Sequence, residues 1–239
     1  MKTKPIYLED PYLKEIEATI IEVLPENEGE CKFVLDQTIF YPMGGGQPTD
    51  QGFFLLPNGA KIEVNKVLFK DGEIYHYVKT GNPPLVGDKV KGMINWERRY
   101  KNMKVHSAGH IIDFALFLLG YSPNILKPMK GDHGKKPFIT YAGSLGKDIK
   151  DELQKKVDEL VANDLKFSWG FEPLEKLEKE ALYLQPGLPK HKPLRALRLE
   201  GVGVVADGGT IVAKTSEVDA IHIVSIEDSG QETLIHYQI

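Results

Sequence analysis

Along residues 1 to about 95, apolar side chains come in short runs with alternating character. Residues 17–23, 32–36, 52–56, 61–64 and 74–78 are each rich in β-branched or aromatic side chains. Turn residues separate them, at Pro57-Asn58-Gly59, Asp71-Gly72 and Gly81-Asn82-Pro83-Pro84. Runs of this kind between turn signals predict strands. A further strand is expected over residues 85–92. Short strands at this spacing predict a small β-barrel or sandwich. The pattern changes at Trp96. A helix is expected from about residue 97 to residue 119, closed by Gly120, a residue suited to a helix C-terminus. Residues 121–137 are rich in Gly, Pro and Lys and show no periodicity. A strand is expected at 138–142. Residues 148–166 place Ile149, Leu153, Val157, Leu160, Val161 and Leu165 near helical spacing. A short helix at 174–182 and strands at 193–199, 220–226 and 233–239 complete the expectation. The fold class is α+β. Residues 1–95 form a small barrel with a glycine-rich motif, and residues 96–239 form an α+β domain with a long helix and a mixed or antiparallel sheet.

Composition narrows the function classes. The 239 residues suffice for one large or two modest cores. With 41% hydrophobic and 27% charged residues, the chain has the make-up of an ordinary globular protein. A formal charge of -4 excludes a uniformly basic nucleic-acid coat, although a local basic face stays open. Cys31 is the one cysteine, so no disulfide forms within the chain, as suits a reducing compartment. No apolar run reaches eighteen residues, and the N-terminus lacks a signal-peptide core, so a soluble, cytoplasmic protein without membrane contact is expected.

Three segments carry candidate chemistry. His106-Ser107-Ala108-Gly109-His110 places two imidazoles at i and i+4, on one face of the expected helix. Such a pair can hold a metal ion, usually zinc; it is also compatible with two polar residues near a helix start. Met43-Gly44-Gly45-Gly46-Gln47 offers a backbone free to approach a ligand and a side chain with both donor and acceptor groups. It is neither a phosphate loop, since no Gly-Lys-Ser/Thr follows, nor a dinucleotide fingerprint, since no helix follows. It reads as a substrate-contacting loop or a plain strand connection. In Ala206-Asp207-Gly208-Gly209-Thr210-Ile211, Asp207 can ligate a metal or cap a turn.

Taken in order, these segments resemble one family, the alanyl-tRNA editing proteins (AlaX), relatives of the editing domain of alanyl-tRNA synthetase. The resemblance rests on residues 36–52, on Arg98-Arg99-Tyr100-Lys101-Asn102-Met103-Lys104-Val105-His106-Ser107-Ala108-Gly109-His110, on residues 131–143 and on residues 207–218. It implies a deacylase acting in trans on the acceptor end of tRNA(Ala) that carries serine or glycine. It implies zinc held by His106, His110 and Asp207, which stands at a position that is Cys or Asp in the family. It implies substrate contacts from Thr38, Gly44, Gly45, Gly46, Gln47 and Thr210, with His106 and His110 as the catalytic pair. Thr38 would favour serine over alanine through a hydrogen bond, and Arg98 and Arg99 would meet tRNA phosphates or lie on a solvated helix face. One departure stands out. The family's final His ligand corresponds to Ile211, which has no lone pair. Two His and one carboxylate still form a catalytic zinc set with an open position. Of the unassigned histidines (His76, His133, His191, His222 and His236), His133 is the leading candidate for a substitute ligand. The alternatives are a catalytically degenerate family member that binds tRNA or a partner, and a metal-dependent hydrolase of another small ester or amide.

Overall fold

A computed structural model describes residues 2–27 and 29–239. The chain forms two compact units, Met1–Lys101 and Asn102–Ile239. The first contains β1 (Lys4–Pro5), β2 (Glu15–Pro25), β3 (Glu30–Leu35), β4 (Gln37–Thr38), β5 (Gly52–Leu55), β6 (Lys61–Lys70), β7 (Glu73–Lys79) and β8 (Lys89–Ile94). Strands β2, β3, β7, β6, β5 and β8 close an antiparallel barrel, and the short β1 and β4 pair in parallel. Alternate residues of β7 turn Ile74, His76 and Val78 inward. In β6 a bulge between Val64 and Lys66 shifts the phase, so Val67 joins Ile62 and Val64 in the core. This is why the strand runs on to Lys70 where simple alternation ends at residue 64. Phe33, Phe40 and Phe54 fill the barrel around His76.

The division falls within α1 (Trp96–Leu118). Asn95 starts this helix: its Oδ1 accepts the Arg98 amide at 3.0 Å, satisfying one otherwise orphaned donor. The second unit continues with β9 (Lys127–Asp132), β10 (Phe138–Ala142), α2 (Lys150–Ala162), β11 (Phe167–Glu172), α3 (Leu174–Glu180), β12 (Leu194–Leu199), β13 (Gly203–Ala206), β14 (His222–Asp228) and β15 (Glu232–Gln238). One antiparallel sheet has the order β14-β15-β10-β9, the other β11-β12-β13. The α+β class and the closed barrel match the sequence expectation. The strands β9, β11 and β13 were not expected. No described helix is long and apolar enough to cross a membrane.

Candidate metal centre

The helix α1 brings both imidazoles of its His-x-x-x-His segment to one face, with ring centroids 4.9 Å apart. Ser107 and Gly109, between them, each have a use. Ser107 is fully buried and its Oγ accepts the Val212 amide at 3.0 Å, tying the segment after the Asp-Gly-Gly turn to the helix. A Cβ on Gly109 would lie 2.7 Å from His133 Cε1, so only glycine lets that ring approach the helix backbone. The ring of His133 sits 4.7 Å from that of His106, centroid to centroid.

Asp207 follows β13, and its two carboxylate oxygens do different work. Oδ2 accepts the Gly209 amide at 2.9 Å and an Arg195 Nη1–H at 3.3 Å. Oδ1 faces the histidines, 3.5 Å from His106 Nε2 and 3.4 Å from His110 Nε2. The turn-capping and the ligand readings of Asp207 are therefore served by separate oxygens. Arg195 is buried, donates further to the Gly209 carbonyl at 3.0 Å, and stacks over Trp169.

Protonation follows from these contacts. Burial lowers the His106 pKa to about 4, against the opposing charge of Asp207, so its imidazole is neutral at pH 7. Its Nδ1–H points to the Thr210 carbonyl at 3.4 Å; a carbonyl can only accept, so Nε2 carries the lone pair toward Asp207. Burial opposes ionisation of Asp207, but the imidazoles of His106 and His110 and the Arg195 guanidinium outweigh it and hold the carboxyl well below its usual range. His110 Nε2 is buried and has no hydrogen-bond partner among the described residues. A bare imidazole nitrogen facing a carboxylate oxygen is unfavourable unless a cation or proton lies between them.

The donor set fits a divalent metal. His106, His110 and Asp207 offer ligand atoms that all lie within 4.8 Å of one another. A tetrahedral zinc with ligands at about 2.0–2.1 Å needs donor–donor spacings of about 3.4 Å, close to both nitrogen–oxygen distances present. Ile211 is fully buried and supplies no donor. His133 does not complete the group: the ligand atoms that lie within 4.8 Å of one another are those of His106, His110 and Asp207. Its Nδ1 is 2.6 Å from the Tyr237 hydroxyl, which donates to the Val105 carbonyl at 3.0 Å. Burial, followed by the charges of His106 and His110, pushes its pKa down to about 2. Beyond the centre, Asp113 on α1 is buried, and the Tyr141 hydroxyl donates to it at 3.3 Å.

The other expected site residues lie in the barrel unit, apart from Thr210, which is buried beside His106. Gly44 and Gln47 pair across a two-residue turn, through amide–carbonyl contacts of 3.3 and 2.9 Å. Gly45 and Gly46 take φ of 55° and 79°, the left-handed values this hairpin turn demands. Gly44, Gly45 and Gly46 are exposed, while Gln47 is buried. Thr38 is buried within the barrel, its hydroxyl 2.8 Å from His76 Nε2 and accepting the Phe40 amide at 3.1 Å. Arg99 corrects an expectation. It is fully buried, paired with Asp50, and donates to the Pro11 and Ile39 carbonyls, so it neither meets phosphates nor lies on a solvated face. Arg98 is half-buried, and its Nε donates to the Thr49 carbonyl at 3.0 Å. Sequence reasoning missed Ser107, Arg195 and Tyr237. Only Ser107 lay inside a motif already singled out.

The family model described as tRNA synthetases class II (A) matches residues 13–98. The chain is 37% identical over 221 residues to alanyl-tRNA editing protein AlaX-L of Pyrococcus horikoshii, covering 91% of this chain and 53% of that protein. It is 32% identical over 241 residues to AlaX-M of Saccharolobus solfataricus, covering 96% of this chain and 95% of that protein. Alanine–tRNA ligase of Halobacterium salinarum is 33% identical over 238 residues, which cover 95% of this chain and 25% of the ligase. The chain thus spans about half of the AlaX-L protein and nearly all of AlaX-M. The chain belongs to the alanyl-tRNA editing protein (AlaX) family.

Proposed function

We propose that this chain is a trans-acting deacylase that hydrolyses the ester joining serine or glycine to the 3′ end of tRNA(Ala). The observation that carries the reading is the convergence of His106 Nε2 and His110 Nε2 on one oxygen of Asp207. The substrate class comes from the relatives, which are named as alanyl-tRNA editing proteins. Zinc held by His106, His110 and Asp207 would supply Lewis-acid polarisation of the ester and a water of lowered pKa, with Ile211 leaving the fourth position open to them.

The chain's own groups do the rest. Thr210 holds the His106 proton at Nδ1, keeping Nε2 available as a donor atom. Arg195 and the Gly209 amide fix Oδ2 of Asp207 and so aim Oδ1. The Gly45 and Gly46 amides, which the turn itself does not use, are presented on an exposed loop of the first unit, with Gln47 beside them. Thr38, to which the resemblance assigns serine selection, is buried in the barrel with its hydroxyl held by His76 Nε2 and the Phe40 amide. Sterics separate serine from alanine poorly, so a hydrogen bond to the serine hydroxyl has to carry the discrimination. A specific observation favours a second reading. Ile211 is a fully buried aliphatic residue where the family carries its last ligand, as in a member that binds tRNA or a partner without hydrolysis.

Deacylation of Ser-, Gly- and Ala-tRNA(Ala), with and without added zinc, decides between them. The proposal expects loss of serine or glycine, retention of alanine, and no activity in His106→Ala or His110→Ala. Failure to hydrolyse any of the three under every metal condition leaves the second reading.

A further inference from the structure

The chain as a whole is acidic, yet one hairpin of the second unit is not. Lys127 and Lys130 lie on β9, and Lys135 and Lys136 lie in the connection to β10. All four are exposed, and none has a carboxylate partner among the described residues. Many other lysines do: Lys32 pairs with Glu26, Lys61 with Glu63, Lys91 with Glu15, Lys104 with Asp219, and Lys214 with Asp164. The single acid between residues 127 and 136 is Asp132, whose Oδ1 is committed to the Gly134 amide at 2.8 Å. Lysines on an edge strand also discourage sheet-to-sheet pairing, and β9 is an edge. That role does not account for Lys135 and Lys136, which lie beyond the strand.

The hairpin is also joined to the metal centre. Its turn supplies His133, whose ring packs against His106 and whose Nδ1 is tied to Tyr237. A ligand held by the lysines would therefore be held on the element that reaches the histidines. The ligand such a cluster fits is a polyanion with closely repeated charges.

We propose that the β9–β10 hairpin, through Lys127, Lys130, Lys135 and Lys136, is the surface that grips the phosphate backbone of the tRNA acceptor end. The proposal rests on the deacylase reading for its choice of polyanion. Its function is to anchor the nucleic acid on the element that carries His133. Binding here is electrostatic and independent of base sequence, so it weakens steeply with salt.

The test is binding of an unacylated tRNA(Ala) transcript across a salt series, which requires no hydrolysis. Two variants with the same charge change are compared: Lys127→Gln/Lys130→Gln/Lys135→Gln/Lys136→Gln, and a control, Lys70→Gln/Lys79→Gln/Lys155→Gln/Lys179→Gln. All eight positions are exposed, and a thermal melt of each variant verifies the fold. The hairpin variant is expected to bind at least about 10-fold more weakly, with a log–log salt slope shallower by roughly 2–3, and the control within about 2-fold of wild type. Unchanged binding in the hairpin variant, equal weakening in both variants, or no measurable binding by wild type would each overturn the proposal. Failure of the deacylase reading shows separately, as wild-type protein that leaves Ser- and Gly-tRNA(Ala) intact.

Discussion

Both units bury polar side chains, but they treat them differently. In the barrel, His76 is fully buried with both ring nitrogens engaged, Nδ1 with the Phe33 carbonyl at 3.3 Å and Nε2 with the Thr38 hydroxyl at 2.8 Å. Arg99 and Asp50 are likewise buried, and the guanidinium also donates to two backbone carbonyls. In the second unit, His106, His110 and Asp207 meet with an imidazole nitrogen that has no hydrogen-bond partner among the described residues. Buried polar groups normally find partners, because leaving one unpaired costs about 1–3 kcal/mol. The polar groups around His76 and Arg99 are satisfied within the barrel core, whereas the three groups of the second unit converge on one point as possible ligands.

The largest expected effect falls on the satisfied side. Asp50→Ala leaves the Arg99 charge buried and unpaired, and should cost about 3–5 kcal/mol in a denaturant titration. A loss under about 1 kcal/mol would show that water reaches the pair, and the contrast with the second unit would weaken. The next effect is acid sensitivity. Burial lowers the His76 pKa from 6.5 to about 4. Between those values the unfolded chain takes a proton that the folded barrel refuses. Stability from this group is therefore complete above pH 6.5, falls as pH drops through the window, and levels off near pH 4. The change is about 3 kcal/mol at roughly 1.4 kcal/mol per pH unit. His76→Gln should remove one proton from the uptake on unfolding at pH 5; an unchanged uptake contradicts the burial argument.

Two smaller effects probe the other side. Arg195→Met frees Oδ2 of Asp207 and should weaken zinc binding about 10- to 100-fold in competition with a chromophoric chelator. Unchanged affinity would mean that the Gly209 amide alone orients the carboxylate. Gly109→Ala drives a methyl group into the His133 ring and should cost about 1–3 kcal/mol of stability. A neutral result there would mean that the His133–Tyr237 pair shifts freely and is not a fixed wall of the centre.

What was legible in the sequence tracks how local the physics is. The barrel strands announce themselves by alternation and by turn pairs such as Asp71-Gly72. The helix α1 does so by a long apolar run closed by Gly120, and the i,i+4 spacing of His106 and His110 survives directly into the structure. The strand β9 has no apolar alternation: its residues are Lys, Pro, Met, Lys, Gly and Asp, and pairing with β10 makes it a strand. The phase of β6 was hidden by its bulge. Arg195 and Ser107 gave no signal because their partners are distant in sequence: Val212 lies 105 residues beyond Ser107. Arg99 was misread because a charged residue in a helix resembles a surface residue until Asp50 is placed against it.

If His106, His110 and Asp207 hold a metal ion, the protein's metal stoichiometry shows it. Purified protein is dialysed against zinc, freed of loose metal, and measured by elemental analysis beside His106→Ala/His110→Ala. About one equivalent is expected in wild type and about none in the double variant. Less than about a tenth of an equivalent in wild type, or equal retention by the double variant, would contradict it.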